Sequence, residues 1–410
     1  MPRSQSRLVP VTATIAVLAL VAFSIPWRNE LASWRVAAAE QKWSRGEHGE
    51  ALRELREVAL ARPDQIDWLM KTGQWALEQN QPEQAVEAID LALKQLAGES
   101  RDDSDIAWQL TQFKAFALIR LGREDEAIEA CQPFADQADP DPSRLNGLAY
   151  VYSLADRALD QSLVWVDEAL SAFSIGPSER AHRLALLAWD AGATALAAEW
   201  IDRAIGEFEP FHRRSLIDFE DKVAVIGAGS NQGSDGVREE ISRLRSERES
   251  LNKRRAMMHA LRAAIRDRLD EPSRAEADRE VVRELGFDPA HVVELRFVGD
   301  GLRSMISFLD TRAWVLFGKE EYKTALHDMN LAVELGEAYL AVDEAAFKNL
   351  SRQIVRSEVL GREIHEQRRM MAVFYYHRAQ IHRALEQELE AFADEAKIRH
   401  LGFEPGPHLF

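Results

Sequence analysis

The sequence predicts an all-α fold, a solenoid of helix–turn–helix repeats behind one N-terminal transmembrane helix. Three observations predict it. Ala, Leu, Glu and Arg, all good helix formers, dominate the 410 residues. Small and apolar residues recur in columns at a period near 34 residues. Long uncharged apolar sequence is confined to Leu8–Trp27.

The apolar segment comes first in the chain. Twenty residues, Leu8 to Trp27, carry no charge. As a helix they span roughly 30 Å at about 1.5 Å per residue, the thickness of a bilayer core. Arg3 and Arg7 precede them, and Trp27 stands where an interfacial aromatic belongs. The positive-inside rule places the N-terminus in the cytoplasm and the body outside it, in the periplasm if the source is bacterial. The competing reading is a cleaved signal peptide, with Ala22-Phe23-Ser24 as the small-residue site, which exports the body as a soluble protein.

The repeats follow. Seven small residues, Ala51, Ala85, Ala127, Ser162, Ala197, Ala325 and Ala391, are spaced by 34, 42, 35, 35, 128 and 66 residues. Twelve residues upstream stand Ala39, Gly73, Ala115, Tyr150, Ala185, Ala313 and Ala379, six of seven being Ala or Gly. The exception, Tyr150, has Ala149 beside it, which a turn longer by one residue explains. Seven residues downstream stand Val58, Ala92, Phe134, Ala169, Ala204, Ala332 and Ile398, all apolar. Two helices cross closely only where small residues meet, and each pair buries its remaining apolar face on the next. Turns are expected at Arg45-Gly46, Asn80-Gln81-Pro82, Leu121-Gly122-Arg123 and Phe317-Gly318-Lys319. Pro63, Pro140, Pro177, Pro210 and Pro405 are expected to close repeats.

Leu121-Gly122-Arg123-Glu124-Asp125-Glu126-Ala127-Ile128 resembles the turn and second-helix start of tetratricopeptide-repeat (TPR) motifs. So do Phe317-Gly318-Lys319 leading into Ala325-Leu326, and Leu385-Glu386-Gln387-Glu388 leading into Ala391. The resemblance covers about 31–210 and 306–405 and is to membrane-anchored bacterial TPR proteins. It departs from the family in lacking aromatics at some first-helix positions. It implies a protein or peptide partner on the inner face of the array. Carried over position by position, that face holds Gln74, Gln112, Phe116, Arg120, Asn146, Tyr150 and Trp189. Amides and Arg hold a partner's backbone or carboxylate, and aromatics supply apolar area.

Between the two arrays, Gly227 to Gly236 reads as a flexible linker. A charged helix over 237–269 follows, with Leu244, Leu251, Met258 and Ile265 at heptad spacing. Leu285-Gly286-Phe287-Asp288-Pro289 is echoed by Leu401-Gly402-Phe403-Glu404-Pro405, and both read as helix stops. Val292 to Val298 is the one short strand-like run. An extra helical insertion is expected over about 337–369. The resulting segments are 1–28, the anchor or signal peptide; 31–226, an N-terminal array; 227–305, linker and charged helix; and 306–410, a C-terminal array with the insertion.

Residues that could carry chemistry are sparse. The net charge of −17 argues against nucleic acid. Val223-Ala224-Val225-Ile226-Gly227-Ala228-Gly229 resembles a strand and glycine turn for a dinucleotide. The third glycine, Gly233, falls one residue late, and Asn252-Lys253-Arg254-Arg255 stands where an acidic strand end is needed. From Arg238 to Arg268, ten Lys or Arg face five acids, a run that suits either an acidic surface or a solvated helix. His377 and His382 are five apart, poor spacing for a metal, and the histidines read as exposed or capping. Cys131, the sole cysteine, reads as core. No cofactor is implied, and no catalytic or metal-binding residue can be named. The expectation is a non-catalytic, membrane-tethered adaptor. The alternatives are a nucleotide-binding enzyme using 223–236, or a structural protein self-assembling through 237–269. The oligomeric state is left open.

Overall fold

The computed structural model describes residues 30–98, 104–137, 140–173, 175–229, 235–290, 300–350, 354–406 and 409. The described residues are helical and contain no strand. The first helices are α1 (30–44), α2 (His48–Ala61), α3 (Ile66–Glu78), α4 (Pro82–Gly98), α5 (Ser104–Arg120), α6 (Glu124–Ala135), α7 (Pro142–Leu154) and α8 (Leu159–Ser171). The others are α9 (Pro177–Asp190), α10 (Thr194–Gly229), α11 (Asp235–Arg268), α12 (Pro272–Glu284), α13 (Asp300–Gly318), α14 (Tyr322–Leu350), α15 (Ile354–Ala384) and α16 (Glu388–His400). The expected membrane segment, 8–27, and the strand-like run 292–298 lie outside the described residues. Among those described, no helix is long and apolar enough to cross a membrane.

Consecutive helices pair into TPR-like hairpins, and the columns sit at their crossings. Ala51, Ala85, Ala127, Ser162, Ala197, Ala325 and Ala391 are all fully buried. So are Ala39, Ala115, Ala185, Ala313 and Ala379 in the first helices. Gly73 shows why these residues are small. A Cβ there would lie 2.6 Å from Ile89 Cγ1, so α3 and α4 could not approach as they do.

Each hairpin turn carries a left-handed residue: Gly46, Asn80, Gly122, Asp156, Gly192, Asp270, Glu320 and Glu386. At Gly122 the pattern is explicit. Its N–H donates to the Ile119 carbonyl at 2.9 Å, and the Arg123 N–H donates to the Leu118 carbonyl at 2.9 Å. These bonds satisfy carbonyls that the helix end would otherwise orphan. Seven left-handed residues lie five before their small anchor; Asp156 lies six before Ser162, and a second left-handed residue, Ala158, absorbs the extra position. Ala149, fully buried, therefore takes the place of Tyr150 in the column. The paired helix stops are also observed, with Gly286 and Gly402 left-handed and Phe287 and Phe403 donating to the Val282 and Ile398 carbonyls.

Several expectations change. An eighth hairpin, α11–α12, sits in the long gap, with Ala263, Ala275 and Val282 buried at the same 12- and 7-residue spacings. The expected linker is helical through Gly229, because Phe219, Val223 and Ile226 continue the partly buried face of α10; 230–234 lie outside the described residues. Pro210 stands inside α10 instead of ending it, flanked by buried Phe208 and His212 that hold the helix on both sides. Pro177 begins α9, where its missing N–H costs nothing. The turn expected at Phe317-Gly318-Lys319 falls at Lys319 and Glu320, with α13 running through Gly318. The insertion at 337–369 is no extra helix; α14 and α15 are lengthened to 29 and 31 residues.

The described residues form two compact units, within Met1–Ser162 plus Gly406–Phe410, and within Leu163–Pro405. The four sequence segments divide the chain by repeat content, whereas packing groups helices across them: in the second unit α10 packs on both α9 and α11, and α9 also meets α14. The position four beyond each anchor lies one turn along the same helix face. It is buried and apolar at Leu55, Ile89, Cys131, Ile201 and Met329, but charged at Arg279 of α12 and Glu395 of α16. α12 therefore ends the apolar run with a charge, whereas α16 also exposes Leu389 and Phe392.

Candidate functional site

In the first unit α5 packs against both α3 and α7, so the first helices of three hairpins lie side by side. They carry six of the seven expected inner-face residues, all half-buried: Gln74, Gln112, Phe116, Arg120, Asn146 and Tyr150. Phe116 meets Tyr150 edge-on, with ring centroids 5.8 Å apart. Arg120 Nη1 donates to the Leu77 carbonyl, tying α5 to the end of α3. Gln112 and Trp108 press on Gly147, where a Cβ would come within 2.7 Å of either side chain. Gln74 Nε2 donates to Glu78 at 3.3 Å within its own helix. Asn146 Oδ1 is buried without a donor among the described residues.

The face is therefore divided. Gln112 and Arg120 are engaged in joining helices, while Gln74, Asn146, Phe116 and Tyr150 retain polar or aromatic surface. α7 is fixed by its N-cap, where Asp141 accepts from the Ser143 and Arg144 N–H groups at 2.9 and 3.1 Å. The seventh residue, Trp189, belongs to α9 in the second unit. Its ring is covered by the Arg268 guanidinium, 3.9 Å from the centroid.

The second unit holds a feature that sequence reasoning missed. Three hairpins share one ion pair: Arg262–Asp278, Arg312–Asp328 and Arg378–Asp394. Each Arg directly precedes a small first-helix residue, and each Asp follows the anchor by three. The signal, Arg-Ala with Ala-x-x-Asp twelve residues beyond that Ala, is present in the sequence at all three places. Asp278 is the most heavily served. Burial opposes its charge, but His259, Arg262 and Arg266 hold its carboxyl below the ordinary range.

The histidines are not mainly exposed or capping. His182, His212, His259 and His377 are buried, because carboxylate or amide partners distant in sequence receive three of them: Asn252 for His212, Asp278 for His259 and Asp310 for His377. Burial pushes His182 down to about 4. His382 does serve a turn, with Nδ1 2.7 Å from Gln387 Oε1. No group of three or more metal-capable side chains converges among the described residues. Cys131 is core, and burial pushes its thiol up to about 12.

Both alternative functions lose their structural premise. The nucleotide reading needs a strand at 223–226, where the chain is helical. The heptad seam of α11 is turned inward, with Leu244, Met258 and Ile265 buried. Much of the basic run is also engaged inside the unit. Arg255 binds Glu209, Arg262 and Arg266 bind Asp278, Arg243 binds Glu240 and Glu247, and Arg254 binds Glu179.

No protein-family model matches the chain, and no curated protein sequence matches it. Similar solved structures include the APC/C hetero-tetramer Cut9–Hcn1, at 13% identity and TM-score 0.24 over 88% of this chain and 94% of that one. Naa15/Naa10 bound to HypK-THB aligns at 13% identity and TM-score 0.21, covering 89% of this chain and 63% of that one. A designed circular tandem repeat protein aligns at 13% identity and TM-score 0.16, over 92% and 91%. At these scores the likeness adds nothing to the fold assignment, which rests on the hairpin geometry.

Proposed function

We propose that this chain is a non-catalytic, membrane-tethered adaptor that binds a protein or peptide outside the cytoplasm on the inner face of its first unit. The observation that carries the reading is the alignment of α3, α5 and α7, which gathers Gln74, Phe116, Asn146 and Tyr150 on adjoining helices. An extended partner lying across these helices meets amides able to pair with its backbone and two rings that supply apolar contact. Membrane tethering rests on the uncharged run Leu8–Trp27 and its flanking arginines. TPR-like arrays serve many partners, so the reading comes from these residues and not from the fold.

The test is photocrosslinking in cells, from single crosslinkers replacing Gln74 or Asn146, compared with exposed second-helix positions Lys94 and Glu129. The reading expects one shared adduct from the two inner positions and none from the outer two. Adducts that do not distinguish the faces would remove it.

A further inference from the structure

α1 and α16 each expose an apolar stripe. On α16 it is Leu389 and Phe392, 82% and 58% exposed, whereas α12 carries charged Arg279 four beyond its anchor. The stripe on α1 stands at the N-terminal end of the repeats. Leu31 is 64% exposed and Trp34 75% exposed, and with exposed Ala38 they form an apolar stripe at i, i+3 and i+7.

The register shows what this stripe is equivalent to. Trp34 lies five residues before its column residue, Ala39. The same position in later hairpins holds Leu110, Met258, Phe308 and Phe374, all at most 3% exposed, and elsewhere half-buried Trp68 and Arg180 and buried Arg144. Leu31 corresponds to buried Met305 and Met371, and elsewhere to Gln65, Ala107, Asp141, Pro177 and Arg255. Phe308 shows the cover directly, since Phe173, just past α8, meets it edge-on with centroids 5.5 Å apart. In α1 the equivalent surface has no such neighbour among the described residues.

We propose that the Leu31–Trp34 face of α1 lies against the lipid surface, so that the first helix of the array is docked on the membrane as well as tethered to it. This rests on the membrane-tether reading above. Only Arg28 and Asn29 separate Trp27 from the start of α1 at Glu30. A bilayer segment ending at Trp27 thus holds the start of α1 within about 10 Å of the headgroups. Leu8–Trp27 itself is a poor cap. It has no charged residue, so covering α1 in water would only exchange one apolar face for a larger one. Trp34 suits the interface, where an amphipathic ring settles at headgroup level.

The experiment uses the full chain reconstituted in phosphatidylcholine–phosphatidylglycerol vesicles, with Cys131→Ala as background. An environment-sensitive fluorophore is attached at Leu31→Cys or, as a control, at exposed Arg53→Cys on α2. The expected result is flotation with vesicles, several-fold stronger quenching at 31 than at 53 by headgroup-level nitroxide lipids, and weaker quenching at 31 by iodide. Flotation with position 31 as open to iodide as position 53 overturns the docking while leaving the tether intact. Shielding of position 31 from both quenchers also overturns it, because protein then covers the stripe. Failure to float removes the tether reading and this proposal with it.

Discussion

Arg378 and Asp394 clasp the last hairpin through two parallel bonds, 2.8 Å from Nε to Oδ2 and 2.7 Å from Nη2 to Oδ1. Both side chains are largely buried. Removing one partner strands the other's charge in the interior, which costs about 3–5 kcal/mol, whereas an apolar pair of similar volume is often tolerated. Arg378→Ala is therefore expected to lower the melting temperature sharply. Arg378→Met with Asp394→Leu should recover most of the loss. Equal losses in both variants, read by thermal melts, would contradict the clasp.

Gly73→Ala is expected to destabilise the first unit, although Ala is the better helix former by about 1 kcal/mol. The added methyl meets Ile89, which is fully buried and has nowhere to retreat. Overpacking costs about 1–3 kcal/mol. Chemical denaturation of a double-mutant cycle checks this: Gly73→Ala should cost less in an Ile89→Ala background. An unchanged cost would place the clash elsewhere.

Ala127→Leu is expected to lower the melting temperature more than Arg123→Leu. Ala127 is fully buried at the α5–α6 crossing, where overpacking costs about 1–3 kcal/mol. Arg123 is an exposed turn residue whose guanidinium holds Glu126 through bonds of 2.7 and 2.6 Å, an ion pair largely screened by solvent. Equal melting temperatures for the two variants would contradict the register.

The columns were legible in the sequence because the demand for a small residue at a helix crossing falls on one position at a fixed distance from its turn. The eighth hairpin was not read, because Ala275 lies among Arg274, Glu276 and other charges that face solvent and hide its periodicity. Six inner-face residues were placed on adjoining helices, but the sequence could not show that Arg120 is turned back to the Leu77 carbonyl. The burial of His259 and His377 was equally hidden, since their carboxylate partners lie 19 and 67 residues away.

Asp343 gives a pH signature. Burial raises its carboxyl to about 6, Arg303 opposes the shift from 3.8 Å, and Glu363 adds to it. Its Oδ2 is buried without a donor. A folded pKa above the unfolded one means that the native state binds more protons between about 4 and 6, so stability falls as pH rises through that window. Asp343→Asn should raise the melting temperature above pH 6.5 and have little effect near pH 4. The reverse ordering of the two melts would show that Asp343 is well served when charged.

The central claim is that the inner face of α3, α5 and α7 is the binding surface, and calorimetry with the crosslinked partner tests it most directly. Phe116→Ala with Tyr150→Ala is expected to weaken Kd at least about tenfold, the loss of more than about 1.4 kcal/mol that truncating central aromatic contacts brings. Lys94→Ala with Glu129→Ala should leave Kd unchanged, and circular dichroism melts of both variants check that the unit stays folded. An unchanged Kd in the folded inner-face variant, or a matching loss in the outer-face variant, would contradict the account.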